Sequence, residues 1–200
     1  MARYSREHKA QSRQRLIEAA ASLFRKRGYD GVGVDELCGA AGLTRGAFYG
    51  HFDSKAELLS AVLGGAHDFV RRLRARTATT YKGLRRQAVD IAQDYLAPGN
   101  RRAVISGCSI AALAIDAARG DDRAQKEYAQ AVSAVLEEMD RLGDNSAAAG
   151  NRDAARDPDA ARAALALCVG GLLIDNACGK NRIGQQVARA AQKEVARLLA

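Results

Sequence analysis

The 200-residue sequence has no tryptophan, two prolines, four cysteines and three histidines, and aromatic residues make up only 5% of it. So little proline, beside 48% hydrophobic and 27% charged residues, excludes a collagen-like or long low-complexity chain and predicts a folded globular protein. Cys38, Cys108, Cys168 and Cys178 make no C-x-x-C pair, and His8, His51 and His67 do not join them at ligand spacing. No metal and no cofactor is therefore expected. A chain of this length buries enough apolar surface to need no disulfide, and reduced thiols are the default. The longest mostly apolar stretch, Ala160 to Cys178, contains Arg162, Asp175 and Asn176, which falls short of the roughly 20 uncharged apolar residues of a membrane span. The opening MARYSREHKA has no apolar core of a secretory signal. The expectation is a cytoplasmic protein with no membrane partner. The sequence also lacks paired carboxylates with a tuned neighbour, a Ser-His or Cys-His order with an orienting acid, and a phosphate loop. An all-helical enzyme is thus the weaker of the function classes.

Positive charge is abundant: 31 Lys and Arg stand against 23 Asp and Glu, a net +8. Such a balance favours polyanionic partners. Much of the surplus is N-terminal, where residues 1–27 hold eight Lys and Arg against two Glu. A second block, Arg71, Arg72, Arg74, Arg76, Lys82, Arg85 and Arg86, is uninterrupted by any acid. It reads either as a solvated helix face or as a non-specific surface for nucleic acid or membrane.

Alanine is frequent and period-2 alternation is absent, so the predicted fold class is all-α, with about nine helices. Leu16, Ile17, Ala20, Leu23 and Phe24 form one apolar stripe on a first helix that Gly28 can end. Val34 to Ala41 predicts a short second helix, Gly42 a tight turn, and Thr44 the cap of a third helix reaching about His51. Ser54-Lys55-Ala56-Glu57 fits a capping box that opens a fourth helix. Further helices are expected at 84–96, 108–119, 122–142, 160–178 and 185–199, with a loop at 143–159.

Two short helices about a glycine turn make a helix-turn-helix arrangement, in which the second helix presents its N-terminal side chains to base edges in the major groove. The segment TRGAFYGHF adds Arg45, Tyr49 and His51 beside Thr44, while Phe48 and Phe52 suit the core. The stretch Gly28 to Leu59, with its R-G-x-x-Y-x-H-F-x-S-K spacing, closely resembles the DNA-binding domain of the TetR family of bacterial transcription regulators. The resemblance covers about the first 63 residues. It implies a three-helix DNA-binding domain, residues 1–54, ahead of a helical regulatory and dimerisation domain, residues 55–200. By the same resemblance the partners are a palindromic double-stranded operator, a second copy of the chain and a small-molecule inducer that ends repression. Thr44, Arg45 and Gly46 fall at the recognition-helix entry, Tyr49 and His51 at phosphate or groove contacts, and Lys55 at a phosphate contact. Gly33 stands where many members have Ser or Thr, so only its backbone N–H remains for a phosphate.

In the regulatory half, Cys108 precedes a predicted helix and follows Arg101 and Arg102, a setting that lowers a thiol's pKa. It is the candidate for oxidant or electrophile sensing, against the alternative of simple packing. Asp175 and Asn176 interrupt an apolar helix and suit a ligand pocket, a dimer interface or a solvent-facing helix end. Leu165, Val169, Gly170, Gly171 and Leu172, with Val187, Val195, Leu198 and Leu199, provide apolar faces on the last two helices for a dimer seam or for the chain's own core.

Overall fold

The computed structural model of the chain describes residues 2–65, 68–75, 77–97, 108–148 and 159–199. Among these there are eleven helices and no strand, in agreement with the all-α expectation. Two helices exceed the expected number, one from the basic stretch and one from a break at Leu113. The described chain divides into two compact units, Met1–Gly65 with Ala112–Ala131, and Ala66–Ala111 with Val132–Ala200.

In the first unit, helix α1 (Ala2–Arg27) buries Leu16, Ala20 and Phe24 completely. It ends at Gly28, whose φ of +73° is a conformation that glycine adopts without a steric penalty. Helix α2 (Val34–Ala41) stops at Gly42, φ +63°, whose N–H bonds back to Gly39. Helix α3 (Arg45–Tyr49) follows after two residues. Helix α4 (Lys55–Leu63) opens with a variant of the capping box: Ser54 Oγ accepts the Glu57 N–H at 3.1 Å, and Glu57 Oε2 accepts the N–H of Asp53, one residue before the cap, at 2.7 Å. Phe48, Phe52, Leu58 and Leu63 close the core with Leu113, Ala117 and Ala124. Leu113 is the break between α7 (Ser109–Ala112) and α8 (Ala114–Arg119), Ala117 lies on α8, and Ala124 lies on α9 (Asp122–Ala148).

The second unit contains α5 (Asp68–Arg74), α6 (Tyr81–Tyr95), α10 (Ala160–Ala177) and α11 (Arg182–Leu199). Helices α10 and α11 pack on each other and both touch α6. The approach is close because Gly171 has no Cβ: one placed there would lie 2.9 Å from Ala191 Cβ and 3.1 Å from Leu96 Cδ2. By length and composition α10 is apolar enough to cross a membrane. Its buried positions nevertheless recur every three or four residues, from Ala161 through Leu165, Cys168 and Leu172 to Asp175, the pattern of a bundle helix with one core face.

Two expectations need correction. Helix α9 runs on to Ala148, so residues 143–148 are helix where a loop was expected; Gly143 weakens a helix by only about 1 kcal/mol, and no proline follows until Pro158. Leu165, Leu172, Val195 and Leu199, offered for a dimer seam, are buried within the single chain. Their stripes meet the chain's own helices.

Candidate nucleic-acid interface

Helix α3 has only five residues and is held by one of them. Phe48 is fully buried, with Phe52 6.0 Å away ring to ring, and this anchor turns the neighbouring side chains outward. Thr44 caps the helix, its Oγ1 accepting the Ala47 N–H at 3.2 Å, which leaves the hydroxyl proton for an external acceptor. Arg45 and Gly46 are exposed, and Tyr49 is 50% exposed while its ring packs edge-on against Phe48. Gly33, at the N-cap of α2, has extended backbone and makes no side-chain cap. A Cβ placed on it would meet nothing within 4 Å.

Arg45 is not isolated on this surface. Its Nη1 lies 3.3 Å from both carboxylate oxygens of Asp35, the second residue of α2. A side-chain hydrogen bond with Tyr49, and then the Asp35 charge, raise the guanidinium pKa further above its ordinary value. An acid in a helix's first turn has an ordinary explanation in the helix dipole, and this hides Asp35 from a reading of the sequence. The ten-residue separation from Arg45, across a glycine turn, is the one available signal.

His51 is half-buried just beyond α3. Burial lowers its pKa from the ordinary 6.5, and Lys9 and Arg13 of α1 push it the same way. Arg13 also lies 4.8 Å above the Phe52 ring. Two basic residues of α1 thus act on the imidazole that follows α3. Lys55 is placed differently: its Nζ donates to the carbonyls of Tyr29 at 3.0 Å and Val32 at 3.1 Å, and sits 4.0 Å from the Tyr29 ring centre. Two of its three donors therefore brace the loop between α1 and α2.

This arrangement of α1 to α4 is the ground on which the relatives compare. Residues 16–62 match the bacterial regulatory proteins of the tetR family. Over that segment the chain is similar to that family. It is 41% identical over 68 residues to the HTH-type transcriptional regulator TtgR of Pseudomonas putida, a match covering 34% of this chain and 32% of the relative. It is 37% identical over 87 residues to the HTH-type transcriptional activator FasR of Mycolicibacterium smegmatis, covering 42% and 40%. The chain thus spans about a third of the length of the first of these relatives and somewhat more of the second. In fold it is similar to the TetR-family transcriptional regulator from Cytophaga hutchinsonii, with a TM-score of 0.75 over 96% of this chain and 94% of that one, at 20% identity.

Outside residues 16–62, the second basic block is partly paired. Arg72 meets Asp94 at 3.1 Å, Arg74 meets the buried Glu138 at 2.8 Å, and Arg85 Nε donates to the Leu199 carbonyl at 2.8 Å. Those charges hold the second unit together, which argues against a wholly free basic face. Arg76 and His67 lie outside the described residues.

Cys108 is buried, and its Sγ accepts the Ala111 N–H at 3.5 Å. It lines a small apolar cavity with Tyr95, Ile110, Leu165, Cys168 and Val169. Burial, with Cys108 alongside, pushes the Cys168 thiol up to about 12. A thiol that senses oxidants needs solvent access, and Cys108 does not have it in this structure; Arg101 and Arg102 lie outside the described residues. Asp175 is also buried, and a Cβ on Gly184 of α11 would sit 3.1 Å from its Oδ1. This excludes the solvent-facing alternative for Asp175. Asn176, half-buried, donates its amide to the Leu172 carbonyl at 2.8 Å. Neither residue lines the cavity at Cys108.

Proposed function

We propose that the protein is a cytoplasmic transcription regulator that binds a palindromic operator as a homodimer and represses until a small molecule releases it. The observation that carries the reading is α3 itself: Phe48 is locked in the core while Arg45, Gly46 and Tyr49 stand in solvent on the second helix of a helix-turn-helix. Arg45 reads a guanine edge, the commonest specific contact of an arginine in the major groove. Thr44, Tyr49 and His51 take phosphates or groove edges. The open site at Gly33 offers a backbone N–H, and the third donor of Lys55 takes a phosphate.

Dimerisation is assigned to the faces of α10 and α11 that the chain does not bury itself. Ile174 is 46% exposed and Ile183 54% exposed, and a Cβ on Gly170 would meet nothing within 4 Å, so a second helix has room for close approach. The ligand trigger is placed in the second unit, at the apolar cavity beside Cys108 and Cys168. That cavity, about 10 Å³, holds at most one water molecule. An inducer must therefore spread its walls, and this displacement is what separates a liganded from an unliganded form. Repression is the assigned output because a protein that occupies its operator only when unliganded blocks a promoter by occupancy alone.

The test is selection of bound sequences from a randomised duplex library by the full chain, over a salt series. An enriched two-fold-symmetric sequence is expected, its preference relaxed at one base pair per half-site by Arg45→Ala. Equal binding to all duplexes at every salt concentration would instead identify a non-specific polyanion binder.

A further inference from the structure

Resting on the reading of α3 as the recognition helix, we infer that Asp35 is a specificity-determining residue that positions Arg45 for its base and penalises non-cognate DNA. Both side chains are exposed, the Arg45 side chain 61% and that of Asp35 75%, so no core packing forces them together. Yet Asp35 sits at the second position of α2 and Arg45 at the first of α3. The turn at Gly42, with the Leu43 N–H bonded to the Cys38 carbonyl at 2.9 Å, joins the two helices so that these two side chains come within ion-pair distance.

The contact runs through Nη1, which reaches both carboxylate oxygens at 3.3 Å. The guanidinium edge made by Nε and Nη2 is thus not used by the carboxylate, and Tyr49, the guanidinium's other side-chain partner, stands on the same exposed helix and can yield to a base. That edge presents two parallel N–H groups, the fork that matches guanine O6 and N7. A long arginine chain otherwise enters the groove with most of its rotamer freedom still to lose. A carboxylate that fixes one end of the planar group in the free protein reduces that loss and sets the direction in which the fork points.

The same carboxylate is a negative charge on a face built to meet a polyanion. Where Arg45 finds its guanine, the Asp35–Arg45 pair stays neutral overall and the carboxylate keeps its partner. Where Arg45 turns to a phosphate instead, Asp35 is left facing the backbone without a cation, and repulsion weakens that complex. Specificity then comes from a repulsive element as well as an attractive one. The helix-dipole role of a first-turn acid does not require this residue, because Glu36 occupies the same turn.

The experiment uses the full chain and the randomised duplex library, comparing wild type, Asp35→Ala, Arg45→Ala and the double variant. Asp35→Ala is expected to relax the Arg45-dependent base pair by about tenfold and to tighten binding to random duplex several-fold at low salt. In the Arg45→Ala background the Asp35 substitution is expected to change no base preference, because its effect on the base passes through Arg45. A merely structural Asp35 alters thermal stability without altering the selected sequence, and that result overturns the inference. So does an Asp35→Ala preference identical to wild type, or one that changes equally without Arg45. If wild type itself enriches no sequence, the DNA-reading assignment of α3 falls and this inference with it; a wild-type motif that is insensitive to Asp35→Ala removes the inference alone.

Discussion

Asp116 Oδ1 accepts the backbone N–H of Tyr29 at 2.8 Å, joining residues 87 positions apart in sequence. The carbonyl of the same Tyr29 accepts the Lys55 ammonium. The loop between α1 and α2 is thereby tied through both polar groups of one peptide residue, and α2 takes its direction from that loop. Replacing Asp116 by Ala leaves a half-buried N–H without its acceptor and is expected to cost about 1–3 kcal/mol. Asp116→Asn, which keeps an acceptor oxygen, is expected to lose less. Urea unfolding of the two variants measures the difference; equal midpoints for Asp116→Ala and wild type would mean that water replaces the carboxylate.

The loop bonds of Lys55 and its proposed phosphate contact separate experimentally. Lys55→Ala removes two bonds to carbonyls and the contact with the Tyr29 ring, which is expected to cost about 1–2 kcal/mol of stability. If its third donor meets a phosphate, the slope of log affinity against log salt for duplex DNA also falls by about 1. A loss of stability with an unchanged slope would leave Lys55 as a loop brace only.

His51 makes stability depend on pH in a defined direction. Its pKa in the folded protein lies below the ordinary 6.5, through burial and then Lys9 and Arg13. Between that lowered value and 6.5 the unfolded chain binds a proton that the native chain does not, so stability falls as the pH falls through this window and is level above it. The difference in urea midpoint between wild type and His51→Gln is therefore expected to shift against wild type from pH 7.5 to pH 5. A neighbouring DNA phosphate acts with the opposite sign, and operator binding is expected to take up a proton and to tighten as the pH is lowered. A pH-independent difference between the two proteins would contradict the stability prediction.

The exposed and buried faces of the C-terminal helices predict different outcomes for the same kind of substitution. Ile174→Glu places a charge on the open face of α10 and is expected to give folded monomers by sedimentation, with weak operator binding. Val195→Glu places it where the side chain is fully buried in one chain, and is expected to unfold the second unit at a cost of several kcal/mol. An intact Ile174→Glu dimer would move the seam elsewhere.

The helices up to residue 63 were legible because each rests on a local signal. Gly28 and Gly42 both have positive φ, Thr44 and Ser54 both cap, and Phe48 and Phe52 both enter the core. Beyond residue 63 such signals thin out. Helix α5 lies in a basic run whose charges hide its apolar residues, among them Val70 and Leu73, both of which are buried. The break at Leu113 had no glycine or proline to mark it.

Composition, helical periodicity and turn chemistry were sufficient to determine an all-α chain with a helix-turn-helix near its start, because those properties depend on residues a few positions apart. Which groups remain available for function was decided by tertiary structure. The Lys55 ammonium turns inward because carbonyls 23 and 26 residues earlier lie within its reach. Cys108 is buried and shares a cavity wall with Leu165 and Cys168, and Val195 belongs to the core of its own chain. An apolar stripe or a charged tip carries its chemistry in the sequence, but its partner is fixed only when distant segments pack, and the choice between core, mate and solvent is made there.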